Sequence, residues 1–559
     1  MYYFSGNAMR ITFYTLLILM LFPAFGEKAD IAAPPAAALA GEKENTDKNG
    51  KEPAENPPVM SFWGIDGHPW PKHKDFDYLG KFKEIGVTSY GVEFVNWKLA
   101  VPKEKVAVRG PGAYHWGNTD RHIKAIEAHN GIALITLWCI SGWATKIPGK
   151  EAPPKNEKCW KYWRDFVEAL VERYDRDGKD DMPGLKYAHL HYQVQGEAHW
   201  KGTVEEYIKL LEQAYKSVKK ANKNAKVLYS SFNLGDIFDN NPTVKTVEKM
   251  GRESDSFSVK LLRGILKHPE LFDIAPTQLN FDYTGIPTRV KWLRSRTDKP
   301  IWFVDARAAY NLNHHTTLPK KERNPRYRID NLPEPVRKVI KKHPKWPKFD
   351  EEKIIVKILQ HGSKLKGITP DDYRILKKWW EKDKAEFAFK KSVIAAGMGV
   401  KHIYSQWTLE LSLKPCIPDT AWAACGLLSD GVPGDEMPKG TPRPVYWAFD
   451  QFNKKLGNFK SAEIIRPRRS RLEGGKSLYY EIWLIKFTVN GKPIHVVWCD
   501  GGRTAADLSL DLPTGIFKTT GIVTELDKNH KPVYPPAKIV PTNAILMDRT
   551  PRFIEPTIR

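Results

Sequence analysis

Tyr187-Ala188-His189-Leu190-His191-Tyr192-Gln193-Val194-Gln195 opens the most legible stretch of this chain. Thr203-Val204-Glu205-Glu206-Tyr207 follows it, and then Lys226-Val227-Leu228-Tyr229-Ser230-Ser231-Phe232. The first run alternates and is rich in β-formers, as a strand requires. After Thr203, the residues Tyr207, Leu210, Leu211, Ala214, Tyr215 and Val218 fall on one helical stripe. Thr203 and Glu206 have the spacing of a capping box at the start of that helix. The third run is again β-rich, so the stretch reads as strand, helix, strand. Further candidate strands lie at Met60–Ile65, Ser89–Phe94, Ile132–Trp138, Ile274–Phe281, Ile301–Asp305 and His402–Trp407, which makes eight, with helical spacing between most of them. Eight parallel strands are the number that closes a (β/α)8 TIM barrel. An open doubly wound sheet would usually carry a glycine-rich turn after its first strand, and none is present.

Outside the barrel the composition shifts. Arg10 precedes an apolar run, Ile11 to Phe25, with small residues at Ala24 and Gly26, so residues 1–26 read as a secretory signal peptide. Residues 27–58 are rich in Ala, Pro, Lys, Glu and Asn without a hydrophobic period and read as a disordered linker. The barrel is expected over 59–430, interrupted after its seventh strand by a long insertion at about 311–384. That insertion carries 20 Lys and Arg against 10 Asp and Glu. Long insertions after barrel strands shape access to the active mouth. Residues 431–559 read as a β-sandwich domain, with Asn490-Gly491 as the turn of a hairpin between β-rich runs.

The 559 residues are 41% hydrophobic and 27% charged, which excludes collagen, coiled coil and a wholly disordered chain. Net charge is +23, pointing to polyanionic surroundings. Nucleic acid is argued against by the secretory signal and by the absence of a binding motif in the insertion. The motifs GxxxxGK[ST], HExxH, GxSxG and the EF-hand loop are all missing, and no metal or cofactor is expected. The five cysteines form no CxxC pair; Cys416 and Cys425 are close enough in sequence to bridge, and the odd count leaves a thiol over.

Barrel chemistry sits at the carboxyl ends of strands. The fourth strand runs into Gln195-Gly196-Glu197-Ala198-His199-Trp200, and the seventh ends Ile301-Trp302-Phe303-Val304-Asp305. Strands 4 and 7 face each other across a barrel mouth, so Glu197 and Asp305 approach from opposite sides. Two carboxylates flanking a bond are what glycoside cleavage requires: one protonates the leaving oxygen, and the other attacks the anomeric carbon or activates water. Trp63, Trp138, Trp143, Trp200 and Trp407 lie near strand ends and suit the apolar faces of sugar rings, although core packing claims such residues too.

The same residues resemble the clan A glycoside hydrolases, in particular family-39-like and family-5-like members. The resemblance is strongest over 187–230. It extends through Tyr114-His115-Trp116 with Asp120, through Lys299–Asp305, through Gly399–Trp407, and through Pro442–Phe449, which leads into the family's terminal β-domain. It implies Glu197 as acid/base and Asp305 at the place of the nucleophile. The chain departs from the family where Gly196 replaces an Asn that contacts the sugar 2-hydroxyl and where Asp305 replaces a Glu. Strand 2 offers Tyr90 and Glu93 but no Arg, and strand 6 ends Asn280-Phe281-Asp282-Tyr283, with Tyr283 left to orient Asp305. The shorter Asp leaves retention and inversion both open. The expectation is a secreted or periplasmic glycoside hydrolase acting on a poly- or oligosaccharide, with a catalytically impaired glycan-binding barrel of the cell envelope as the alternative. Its partner is a carbohydrate, for which the insertion favours an acidic glycan, and no membrane anchor is expected to remain after signal cleavage.

Overall fold

The computed structural model describes residues 57–65, 77–196, 199–232, 256–279, 283–307, 329–346, 351–406, 426–429, 437–471, 479–500, 504–505 and 512–557. The signal segment, nearly all of the linker, Glu197, Trp407, Cys416, Cys425 and residues 311–328 and 347–350 of the insertion lie outside them.

Eight parallel strands form one sheet: β1 (Trp63–Ile65), β2 (Ser89–Asn96), β3 (Ile132–Trp138), β4 (His191–Val194), β5 (Lys226–Leu228), β6 (Ala275–Leu279), β7 (Ile301–Arg307) and β8 (His402–Gln406). Its order is β5-β4-β3-β2-β1-β8-β7-β6, and a parallel bridge between Leu228 and Ile274 brings the two edges together. This is the (β/α)8 barrel that the alternating sequence predicts. Helices α1 (Tyr78–Glu84), α2 (Gly117–Ala128), α3 (Glu157–Tyr174), α4 (Val204–Ala221), α5 (Phe257–Ile265) and α6 (Ile286–Arg294) fall between successive strands. The α4 stripe is buried as its period requires, apart from the half-buried Tyr215. Its capping box is formed, with Glu206 N–H donating to Thr203 Oγ1 (3.2 Å) and Thr203 N–H to Glu206 Oε2 (2.9 Å).

The insertion supplies α7 (Glu334–Lys342), α8 (Glu351–His361) and the start of the long α9 (Pro370–Gly397). Lys342 Nζ meets Asp372 in the first turn of α9 at 2.7 Å, tying α7 to it. Helix α10 (Pro444–Leu456) lays Phe449 on Trp63, ring centroids 4.0 Å apart. The barrel's own packing therefore continues past residue 431 to Leu456.

Inside the barrel Leu134, Leu228, Ile274, Trp302, Val304 and Tyr404 form a separate apolar plug with Met60 against it. Trp302 lies between His191 (5.1 Å) and His402 (4.5 Å). Burial pushes these imidazoles down, to about 3 for His191 and about 4 for His402, so both are neutral at ordinary pH.

Beyond α10 an antiparallel sheet follows, from β9 (Phe459–Arg471), β10 (Tyr479–Val489), β11 (Lys492–Cys499), β13 (Ile516–Gly521), β14 (Lys538–Pro541) and β16 (Arg552–Pro556). A two-stranded ribbon joins β12 (Thr504–Ala505) and β15 (Leu546–Met547). The predicted hairpin is present: Asn490 (φ 51°) and Gly491 (φ 76°) join β10 to β11 in the left-handed conformation that a two-residue turn needs. Side chains alternate across this sheet. Trp483, Ile485, Phe487, Val496, Trp498 and Phe553 join the main core with the barrel helices, while Ile482, Leu484, Val497, Cys499, Phe517 and Ile554 pack with Leu512, Ile545 and Met547 on the other face. Cys139, Cys159 and Cys499 are buried.

Asp500, one residue past β11, gathers the seam between barrel and sheet. It accepts from Tyr283 Oη (2.6 Å), Lys390 Nζ (2.9 Å), Trp483 Nε1 (3.2 Å) and Trp498 Nε1 (3.4 Å).

Candidate active site

Among the described residues of the barrel strand ends, two non-glycine residues have a positive φ, Gln195 and Asp305, and they stand at the two ends that carry the sequence-predicted acids. In β7, Phe303 pairs with Thr277 and Ile403, while Ala306 pairs with Leu279 and Ser405. Three steps along β7 thus match two on either neighbour, so the strand holds a bulge at Val304–Asp305. Bulges re-aim a side chain beside active sites. Val304 belongs to the interior plug and Ala306 to the core outside the sheet, so Asp305 is the inserted residue. It has φ 61° and is 2% exposed. A left-handed conformation at a non-glycine residue is uncommon and is tolerated best by Asp and Asn.

At the end of β4, Gln195 has φ 62°. The turn it begins is held firmly. The Gly196 carbonyl accepts from Ser231 N (2.9 Å), Ser231 Oγ (2.9 Å), Gln193 Nε2 (3.2 Å) and Ser230 Oγ (3.3 Å). Tyr207 Oη reaches in from α4, donating to the Val194 carbonyl (2.9 Å) and accepting from Ser230 N–H (2.7 Å). The stripe of α4 therefore fixes the ends of β4 and β5 together, and with them the backbone that enters Glu197.

Around these ends the inner wall is polar and buried: Gln193 on β4 and Gln195 just after it, Ser230 and Ser231 after β5, and Gln278 on β6. Gln278 Nε2 lies 3.5 Å from Ser231 Oγ. Two buried cations grip the end of β6, the strand paired with β7: Arg289 from α6 donates to the Gln278 carbonyl, and Lys391 Nζ from α9 to the Leu279 carbonyl (2.9 Å). Sequence reasoning missed the glutamines and serines. The signal available was the polar alternation His191, Gln193, Gln195 on one face of a strand otherwise apolar.

The predicted aromatics separate. Trp138 ends β3 on the same face as Leu134 of the plug, is half-buried, and packs against Gly196. A Cβ at 196 would lie 2.5 Å from Trp138 Cζ2, so this indole fills the space a side chain there would need. Trp63 faces the opposite way, against Phe449 and Phe452 of α10, and is core packing and not cleft lining. Trp200 is buried on Tyr207 (5.6 Å), and its Nε1 donates to the Thr203 carbonyl (3.0 Å) at the start of α4. Trp143 donates to the Val101 carbonyl (2.9 Å) and packs on Trp97 and Tyr162. Tyr283 is engaged at the Asp500 seam. Glu197 and Trp407 fall outside the described residues.

Among the described residues one acidic trio brings its oxygens within 4.8 Å of one another: Asp175, Asp177 and Asp181. It precedes β4, at the end of the barrel away from the strand carboxyl ends. Backbone N–H groups of Arg176, Asp177, Gly178 and Lys179 already occupy its carboxylates.

No protein-family model and no curated protein matches the sequence. Solved structures do match. A family 39 glycoside hydrolase from the gut symbiont Bacteroides cellulosilyticus shares 12% identity over 89% of this chain and 81% of its own, with a TM-score of 0.50. The chain is similar in fold to that enzyme. A glucosidase from Croceicoccus marinus covers 90% of this chain and 98% of its own at 12% identity and TM-score 0.49. The family 39 enzyme from Xanthomonas axonopodis pv. citri covers 90% and 96% at 11% identity and TM-score 0.44. The resemblance to clan A barrels with a C-terminal β-domain thus holds for the fold.

Proposed function

We propose that the protein is a secreted or periplasmic glycoside hydrolase that cleaves O-glycosidic bonds of a poly- or oligosaccharide with two carboxylates. The observation that carries this reading is Asp305: a buried carboxylate in a left-handed conformation, on a bulge, at the carboxyl end of β7. Strained backbone that regular pairing would avoid is retained where it aims a group at a reacting centre. Across the barrel, the tightly held turn at Gln195–Gly196 leads into Glu197. In this reading Glu197 gives its proton to the leaving oxygen, and Asp305 meets the anomeric carbon or the water that attacks it.

The test is turnover of a panel of aryl glycosides and polysaccharides by wild type, Glu197→Gln and Asp305→Asn. Each substitution is expected to lower kcat by about 10²–10⁴-fold. Proton NMR of the first-formed anomer then assigns Asp305: retention makes it a nucleophile, inversion a base. Full activity in Glu197→Gln removes the acid/base assignment. Glycan binding without turnover by the wild type leaves a binding barrel. Amino-terminal sequencing of the exported protein tests cleavage after Gly26.

A further inference from the structure

Gln195 is 1% exposed, and neither its Oε1 nor its Nε2 has a hydrogen-bond partner. Its backbone is also in the left-handed region, at φ 62°. Buried amides without partners are rare because desolvation is then uncompensated. Both costs fall on one residue, two positions before Glu197.

A second orphan sits beside it. Trp138 Nε1 is buried and has no partner. The two belong together: Gln195 N–H donates to the Leu137 carbonyl (2.9 Å), and the indole lies on Gly196, with Cε2, the atom bonded to Nε1, 3.4 Å from the position of a Cβ there. The paired ends of β3 and β4 thus hold two unsatisfied donor groups and one unsatisfied acceptor, and Trp138 as a whole is half-buried.

Resting on the glycosidase reading, we propose that Gln195 and Trp138 form a subsite for the vicinal hydroxyls of a neutral sugar ring. The orphan set selects this chemistry. A ligand has to accept from Trp138 Nε1 and Gln195 Nε2 and also donate to Gln195 Oε1. A carboxylate or sulfate only accepts and an ammonium only donates, whereas adjacent hydroxyls do both. Any carboxylate or sulfate group that the basic insertion attracts therefore lies away from this pair.

The experiment compares wild type with Gln195→Met, an apolar side chain of similar length, and with Trp138→Phe. Thermal unfolding is recorded without ligand. Binding of neutral cello-, xylo- and manno-oligosaccharides and of galacturonan oligosaccharides is measured in the Glu197→Gln background, and turnover in the active one. Because the amide has no partner in the free protein, Gln195→Met keeps or raises Tm. It weakens binding of neutral oligosaccharides by about 10-fold for each lost hydrogen bond, and Trp138→Phe does so by one such step. A lower Tm for unliganded Gln195→Met overturns the proposal, since the amide would then be partnered. So does unchanged binding in that variant, or failure of every neutral oligosaccharide to bind the wild-type site. Binding that depends on Gln195 without any turnover supports the subsite and sinks the hydrolase reading alone.

Discussion

Gly196→Ala tests the geometry of the candidate site most directly. The added Cβ would meet Trp138 Cζ2 at 2.5 Å, Cη2 at 3.0 Å and Cε2 at 3.4 Å. Carbon atoms rest at about 3.5–4.0 Å, so the indole or the strand end has to yield by about 1 Å. The backbone is poorly placed to do so, because four donors from Gln193, Ser230 and Ser231 hold the Gly196 carbonyl. Overpacking of this kind costs about 1–3 kcal/mol, and the fixed carbonyl places Gly196→Ala in the upper half of that range. Equilibrium urea unfolding of wild type, Gly196→Ala, Trp138→Leu and the double variant measures it. With the indole removed, the Ala side chain has room, so the cycle should show a coupling of about 1–2 kcal/mol in favour of the double variant. Turnover should fall further than stability in Gly196→Ala, since the displaced turn leads into Glu197. Equal cost of Gly196→Ala with and without Trp138, or no cost at all, would refute the contact and with it the close approach of β3 and β4.

Acid should destabilise the barrel through its plug. His191 and His402 bind protons in the unfolded chain near pH 6.5 but in the fold only near 3 and 4. The unfolded state therefore holds more protons below about pH 6.5, and stability falls by about 2 kcal/mol between pH 6 and 5 for the pair. Denaturant midpoints at the two pH values check this, and a His402→Gln variant that keeps the full slope would contradict it. Asp500→Asn removes the carboxylate that lies 2.9 Å from Lys390 Nζ, whose side chain is 0% exposed; a loss of about 3 kcal/mol is expected by urea unfolding, and an unchanged midpoint would deny Asp500 its place at the seam. Binding of acidic oligosaccharides should drop steeply between 0.1 and 1 M salt, as the screening length shortens from about 10 to about 3 Å, while neutral ones hold. Charge reversal at Lys341 and Lys345 should lower acidic binding, and at Lys342 it should also loosen α7 from Asp372; equal affinity for both glycan classes at low salt would remove any steering role.

What the sequence determined by itself was whatever neighbours along the chain decide. The stripe and capping box of α4, the Asn490-Gly491 turn and the alternation of strands with helices are set by residues a few positions apart, and each stands where the sequence puts it. The acid at the end of β7 was legible for the same reason. Which way a side chain faces was not. Trp63 and Trp138 both lie on barrel strands, yet one packs on α10 and the other on Gly196, because facing depends on parity relative to a closed sheet and on the helix that covers it. The bulge at Val304–Asp305 exists only as a mismatch in register with β6 and β8, strands far away in sequence. Tyr283 reads as a site residue until a carboxylate 217 positions on claims its hydroxyl. An unsatisfied amide at Gln195 likewise appears only when every surrounding donor and acceptor has been placed, because hydrogen bonding in a core is settled by what folding brings near and not by the residue itself.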